Sequence, residues 1–140
     1  MKYMKVTLFA VFVLLAGSVM SASAQDSMMM KDKFNAKNPT VAVIRADWCT
    51  ACQQLEPTMK ALMKEYDGKL NFVMLDVTND ETTARAQAKA KSLGLSSFFE
   101  ANKKSTSTVG VFKNSKQQYK TTHNQKRSDY VAAFNKAIKS

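Results

Sequence analysis

The segment Thr40-Val41-Ala42-Val43-Ile44-Arg45-Ala46-Asp47-Trp48-Cys49-Thr50-Ala51-Cys52 decides the fold. Its first half, Thr40 to Ala46, is β-branched and mostly apolar, the pattern of a central strand buried on both faces. From Cys49 onward the period changes. Leu55, Met59, Leu62, Met63 and Tyr66 recur at the spacing of one helical stripe, which predicts a helix from Cys49 to Tyr66. Pro57 lies inside that helix and is expected to kink it, and Asp67-Gly68 ends it. The chain's only two cysteines therefore stand where a strand gives way to a helix.

That position gives the pair its chemistry. A thiolate is the nucleophile in disulfide exchange, and a free cysteine is mostly thiol near neutral pH. The first turn of a helix carries unpaired N–H groups and a partial positive charge, so the Cys49 thiolate is favoured there. Cys52, one turn further along the same face, is expected to be more buried and less reactive. Cys49 then acts as nucleophile and Cys52 as the resolving thiol of a redox-active disulfide. A structural role suits the pair poorly, because the stabilisation from closing a loop grows with loop length. A zinc site suits it poorly too, since four ligands are the norm and His123 is the only histidine.

Downstream, Leu70 to Val77 reads as a second apolar strand. Asn79 or Asp80 caps a helix from Glu81 to Leu93 with Ala86, Ala90 and Leu93 on one face. Ser96 to Asn102 makes a short helical turn carrying Phe98 and Phe99. Thr108 to Phe112 is a third strand, Asn114-Ser115-Lys116 a turn, and Gln117 to Thr122 a fourth strand polar enough for an edge. Ser128 is expected to cap a last helix with Tyr130, Val131, Phe134, Ala137 and Ile138 inward. A helix between the first two strands makes them parallel, and the short link between the last two makes a hairpin. The fold class is α/β, a three-layer sandwich with a mixed four-stranded sheet and helices on both faces.

The rest of the 140 residues bounds the setting. Lys2 and Lys5 precede an apolar run from Val6 to Ala16, and Ala22-Ser23-Ala24 supplies small residues. The run is shorter than the roughly 20 residues a spanning helix needs, so residues 1–24 read as a signal peptide cut after Ala24. Residues 25–38 are polar and read as a flexible segment, and residues 39–140 as one domain. Export places the protein in the periplasm or an equivalent space, where substrates with disulfides or dithiols occur. Residues 101–140 hold nine basic side chains against Asp129 alone, a net +8, whereas residues 25–100 balance. A solvated basic face explains this, and aromatic residues are not interleaved with the lysines as a nucleic-acid groove requires. No nucleic-acid partner, cofactor or metal ligand is assigned, and a monomer is expected.

Ala46-Asp47-Trp48-Cys49-Thr50-Ala51-Cys52 with Pro57 five residues on resembles the active-site segment of the thioredoxin family. Tyr66-Asp67-Gly68-Lys69-Leu70 and Val111-Phe112-Lys113-Asn114 resemble that family's later landmarks. The resemblance implies that Trp48, with Thr106 and Ser107, belongs to the surface that meets protein substrates. Three departures stand out. Ser107 occupies the place of the family's cis-proline, in Ser105-Thr106-Ser107-Thr108, so a trans bond and a different loop are expected there. Val43 and Met74 occupy the places of a buried Asp and a Lys that help move the resolving thiol's proton, which leaves water or a group such as Glu56 for that task. Leu95 to Thr106 is longer than in a minimal thioredoxin, which makes it either a lid or partner contact near the site, or a surface elaboration. Thr50-Ala51 lacks the histidine of strongly oxidising relatives, which favours the reducing direction and therefore a membrane-bound electron donor. The alternative is a metal-binding or metallochaperone module that uses Cys49 and Cys52, with Met28-Met29-Met30 as soft ligands. A third reading keeps the pair as a structural or sensing disulfide.

Overall fold

A computed structural model describes residues 34–140. The proposed signal peptide and the Met28-Met29-Met30 run lie outside the described residues. Residues 35–38, expected in the flexible segment, are instead tied to the domain. The Asn35 amide donates to Asn71 Oδ1 at 3.0 Å, Asn71 Nδ2 donates back to the Asn35 carbonyl at 2.7 Å, and Asn38 Nδ2 donates to the Gly68 carbonyl at 2.9 Å.

Eight elements follow: β1 (Thr40–Arg45), α1 (Thr50–Glu65), β2 (Asn71–Asp76), α2 (Asp80–Ser92), α3 (Ser96–Asn102), β3 (Thr108–Lys113), β4 (Lys116–Thr122) and α4 (Arg127–Lys139). The sheet order is β2-β1-β3-β4, with β1 parallel to β2 and antiparallel to β3, and β3 antiparallel to β4. The expected mixed sheet is thus present, with β1 and β3 central. Because side chains alternate along a strand, β1 feeds two cores. Val41 and Val43 meet Leu55, Met59 and Leu62 of α1 and Tyr130, Phe134 and Ala137 of α4. Ala42 and Ile44 face the other way, toward Val73 and Leu75 of β2, Ala86 and Ala90 of α2, and Phe98 and Phe99 of α3.

Several local expectations are refined. Asn79 is the cap of α2, and it forms a reciprocal capping box with Thr82. The helical assignment runs unbroken through Pro57. Ser128 does not cap α4. Lys126 holds the N-cap position, and Asn124 organises the entry by accepting the Lys126 amide at 2.9 Å and donating to the Asp129 carboxylate at 2.9 Å. Asn114 and Ser115 both have positive φ, +50° and +62°, the conformation a tight two-residue hairpin needs to match strand twist.

The 95–106 segment is neither lid nor surface elaboration. Leu95, Phe98, Phe99 and Asn102 are buried, and the Phe98 ring lies edge-on to Phe112 with centroids 5.1 Å apart. Both rings press onto Gly110 of β3, where a Cβ atom would come within 2.7 Å of each. The missing side chain is what lets α3 close the second core.

Candidate active site

The turn Ala46-Asp47-Trp48 carries the chain from β1 into α1. Cys49 is the N-cap residue of α1, with extended backbone (φ −88°, ψ 105°). Its Sγ accepts the Cys52 amide at 3.1 Å, and its carbonyl accepts the Gln53 amide at 3.1 Å. The first turn contains no acidic residue. Sulfur therefore takes the place that a serine or aspartate oxygen usually fills at a helix start, and negative charge on it is favoured by the N–H groups and the helix dipole. Cys49 and Cys52 are joined as a disulfide, their Cα atoms 5.2 Å apart.

One expectation is corrected here. Cys52 is not the more buried of the two: Cys49 is 6% exposed and Cys52 9%. Cys52 also lines a cavity of about 310 Å³ together with Val43, Leu55, Met59, Met63, Met74 and Ser107. The two residues differ in helix position, Cys49 at the N-cap and Cys52 inside the first turn.

Trp48, 64% exposed, stands beside the pair. Its indole N–H donates to the Thr78 carbonyl at 3.0 Å, the Asp47 amide donates to Thr78 Oγ1 at 2.9 Å, and Gln53 Nε2 donates to the Asp47 carbonyl at 2.7 Å. Arg45 bridges Asp47 and Asp76 beneath this turn. An exposed aromatic held at its polar end is a rigid contact surface, because its rotamer is already chosen. Thr78 and Arg45 were not singled out from sequence, since neither residue belongs to a motif and their roles arise only where the end of β2 meets the turn after β1.

Across the pair lies the loop before β3. Thr106 is 9% exposed and Ser107 is fully buried. All peptide bonds among the described residues are trans, and Ser107 adopts a left-handed conformation with φ +59°. The Ser107 amide donates to the Ile44 carbonyl at 2.8 Å, and its carbonyl accepts the His123 amide at 3.0 Å. His123 is itself left-handed, at φ +55°. The next residues reach the cysteine loop directly, as Gln125 Nε2 donates to the Ala51 carbonyl at 3.1 Å. The His123 side chain is exposed, but its backbone borders the site.

Val43 and Met74 are register partners in β1 and β2 and both line the cavity behind Cys52. Arg45, Glu56 and Lys60 complete its lining. Glu56 pairs with Lys60 at 2.6 Å, and the hydrogen bond from that ammonium, helped by its charge, holds the Glu56 carboxyl below its ordinary value. Among the described residues no group of three or more His, Cys, Asp or Glu is arranged to hold a metal ion.

The family model described as Thioredoxin matches residues 22–124. The chain belongs to the thioredoxin family. A thiol:disulfide interchange protein TxlA homolog from Synechocystis sp. is 37% identical over 65 residues, 46% of this chain and 36% of that one. Thioredoxin C-2 from Corynebacterium nephridii is 36% identical over 59 residues, 42% of this chain and 55% of that one. The matched segments thus span about a third and about half of these two relatives. The fold agrees with that of Fasciola hepatica thioredoxin, with a TM-score of 0.53 at 18% identity over 82% of this chain and 93% of that chain. Within this thioredoxin-family member, the Cys49–Cys52 disulfide at the head of α1 is the family's Cys-x-x-Cys pair, and Ser107, Val43 and Met74 are where the chain departs from the pattern the family resemblance implies.

Proposed function

We propose that the protein is an exported thiol–disulfide oxidoreductase that acts on protein substrates, with reduction as the preferred direction. The observation that carries this is Cys49 Sγ at the N-cap of α1, accepting the Cys52 amide at 3.1 Å. Once the disulfide is reduced, the same N–H and helix dipole stabilise a Cys49 thiolate. That thiolate attacks one sulfur of a substrate disulfide. A Cys49–substrate bond forms, and the other substrate sulfur leaves as thiolate. Cys52, deprotonated, then attacks Cys49 Sγ, the Cys49–Cys52 bond closes, and the second substrate sulfur departs. Two electrons pass to the substrate, and a dithiol donor must return them. Trp48 and Thr106 are the substrate-meeting residues of this reading, and Ser107, expected with them, is fully buried and does not face a substrate.

The export reading rests on Lys2, Lys5, the Val6–Ala16 run and Ala22-Ser23-Ala24. In an extracytoplasmic space a reductant depends on a membrane-bound electron donor, and Thr50-Ala51, free of histidine, suits that direction.

The test is insulin reduction driven by dithiothreitol, run with the protein lacking residues 1–24, alongside trapping with Cys52→Ser. Turnover, together with mixed disulfides that collect on Cys49, is the expected result. Absence of both, accompanied by tight uptake of zinc or Cu(I) by the reduced protein, replaces this reading with the metal-binding one.

A further inference from the structure

Ser107, one of the residues that line the cavity behind Cys52, carries a group that the exchange mechanism does not use. Ser107 Oγ is buried and has no hydrogen-bond partner among the described residues while the disulfide is closed. A buried hydroxyl without a partner is costly, and a redox role is one reason a native fold keeps such a group. Here the other state is the dithiol. Two electrons and two protons, delivered by a dithiol or by two molecules of a monothiol that become a disulfide, break the Cys49–Cys52 bond and leave two thiols. Cys52 then carries a sulfur able both to donate and to accept a hydrogen bond. It lines the same cavity as Ser107, and the cavity leaves it room to move. Its other neighbours there offer little competition. Val43, Leu55 and Met74 are apolar, Arg45 is engaged by Asp47 and Asp76, and Glu56 is engaged by Lys60.

We infer that Ser107 sets the redox poise of the pair by pairing its buried hydroxyl with the Cys52 sulfur only after the disulfide opens. The hydroxyl thereby favours the dithiol and makes the disulfide easier to reduce. Ser107 acts through Cys52 rather than on the substrate, and the inference rests on reading Cys49 and Cys52 as a redox pair.

The test is the equilibrium of the pair with glutathione, read by alkylation of free thiols in wild type and Ser107→Gly. Glycine removes the hydroxyl and accepts the left-handed backbone at this position. The equilibrium is expected to shift about tenfold toward the disulfide, equivalent to a potential about 30 mV more negative. Ser107→Ala, which keeps the Cβ and removes only the hydroxyl, is expected to shift it in the same direction. Urea unfolding of the oxidised and reduced forms separates tuning from simple loosening, because loss of the hydroxyl should weaken the reduced form more. An unmoved equilibrium, a shift toward the dithiol, or equal loss of stability in both forms overturns the inference. Insulin reduction measured in parallel keeps the two readings apart. A shifted equilibrium in a protein without turnover leaves the tuning standing and removes the oxidoreductase reading. Turnover with an unshifted equilibrium does the reverse.

Discussion

Glu56 sits at the rim of the cavity behind Cys52, where a group that takes the resolving thiol's proton would be placed. Its chemistry argues against that task. Lys60 donates to it at 2.6 Å and holds its carboxyl below the ordinary value, so it is a weak base at neutral pH. Losing a true general base costs about 10²–10⁴-fold. Glu56→Gln is therefore expected to lower insulin reduction by less than about tenfold, and a hundredfold loss in that assay would identify Glu56 as the base. At this scale the sequence was informative about identity and weak about surroundings. Cys49, Cys52 and Pro57 are read directly from spacing. That Cys49 is the cap of α1 follows from the strand-to-helix change of period. The near-equal burial of the two cysteines and the cavity beside Cys52 do not follow, because they depend on β1, α1, β2 and the loop before β3, four segments brought together by the fold.

At the scale of elements, Gly110 shows how one position governs the docking of another segment. Phe98 from α3 and Phe112 from β3 close over it, and an added Cβ would meet both rings at 2.7 Å. Overpacking of this kind costs about 1–3 kcal/mol. Gly110→Ala is expected to lower the free energy of urea unfolding by that amount, whereas a variant as stable as wild type would mean that α3 is free to shift. The strands and the long helices were legible because their apolar residues recur with the period of the structure they form. The role of residues 95–106 was not. A seven-residue helix is too short for a periodic signal, and whether Phe98 and Phe99 face a substrate or a core is settled only by what lies opposite. The start of α4 was misplaced for a related reason. Ser128 has the right chemistry for a cap, but Asn124 already orders the entry through the Lys126 amide and Asp129.

Across the whole molecule, two apolar layers on a single sheet make stability depend on groups far from the disulfide. Tyr130 is fully buried on α4, and its hydroxyl donates to the Asn124 carbonyl at 2.6 Å. Burial, reinforced by Tyr119 and Asp129, pushes its pKa up to about 12. An unfolded tyrosine titrates near 10. The fold therefore favours the neutral phenol, so this contribution to stability is complete below about pH 10 and is lost as pH rises from about 10 to about 12. Urea unfolding at pH 8, 10 and 11 is expected to show a falling midpoint, with a shallower fall for Tyr130→Phe. Equal slopes for the two proteins would assign the alkaline loss to other groups. The C-terminal excess of positive charge is a separate property of the whole surface. It is only partly offset by ion pairs, such as Arg127 with Glu65 and Lys103 with Glu100.

The order of elements, the parallel crossover and hairpin, and a dithiol at the mouth of a helix were all legible in the chain. Each of these is local, written in the period of apolar residues and in the spacing of two cysteines. The environment of that dithiol came from packing alone: the cavity that Cys52 lines, the buried Ser107 hydroxyl with no partner among the described residues, and the Thr78 and Gln125 contacts that hold the loop. The physical reason is that an environment is made by residues distant along the chain. Whether a polar atom finds a partner depends on what packs against it, and no stretch of chain records this on its own.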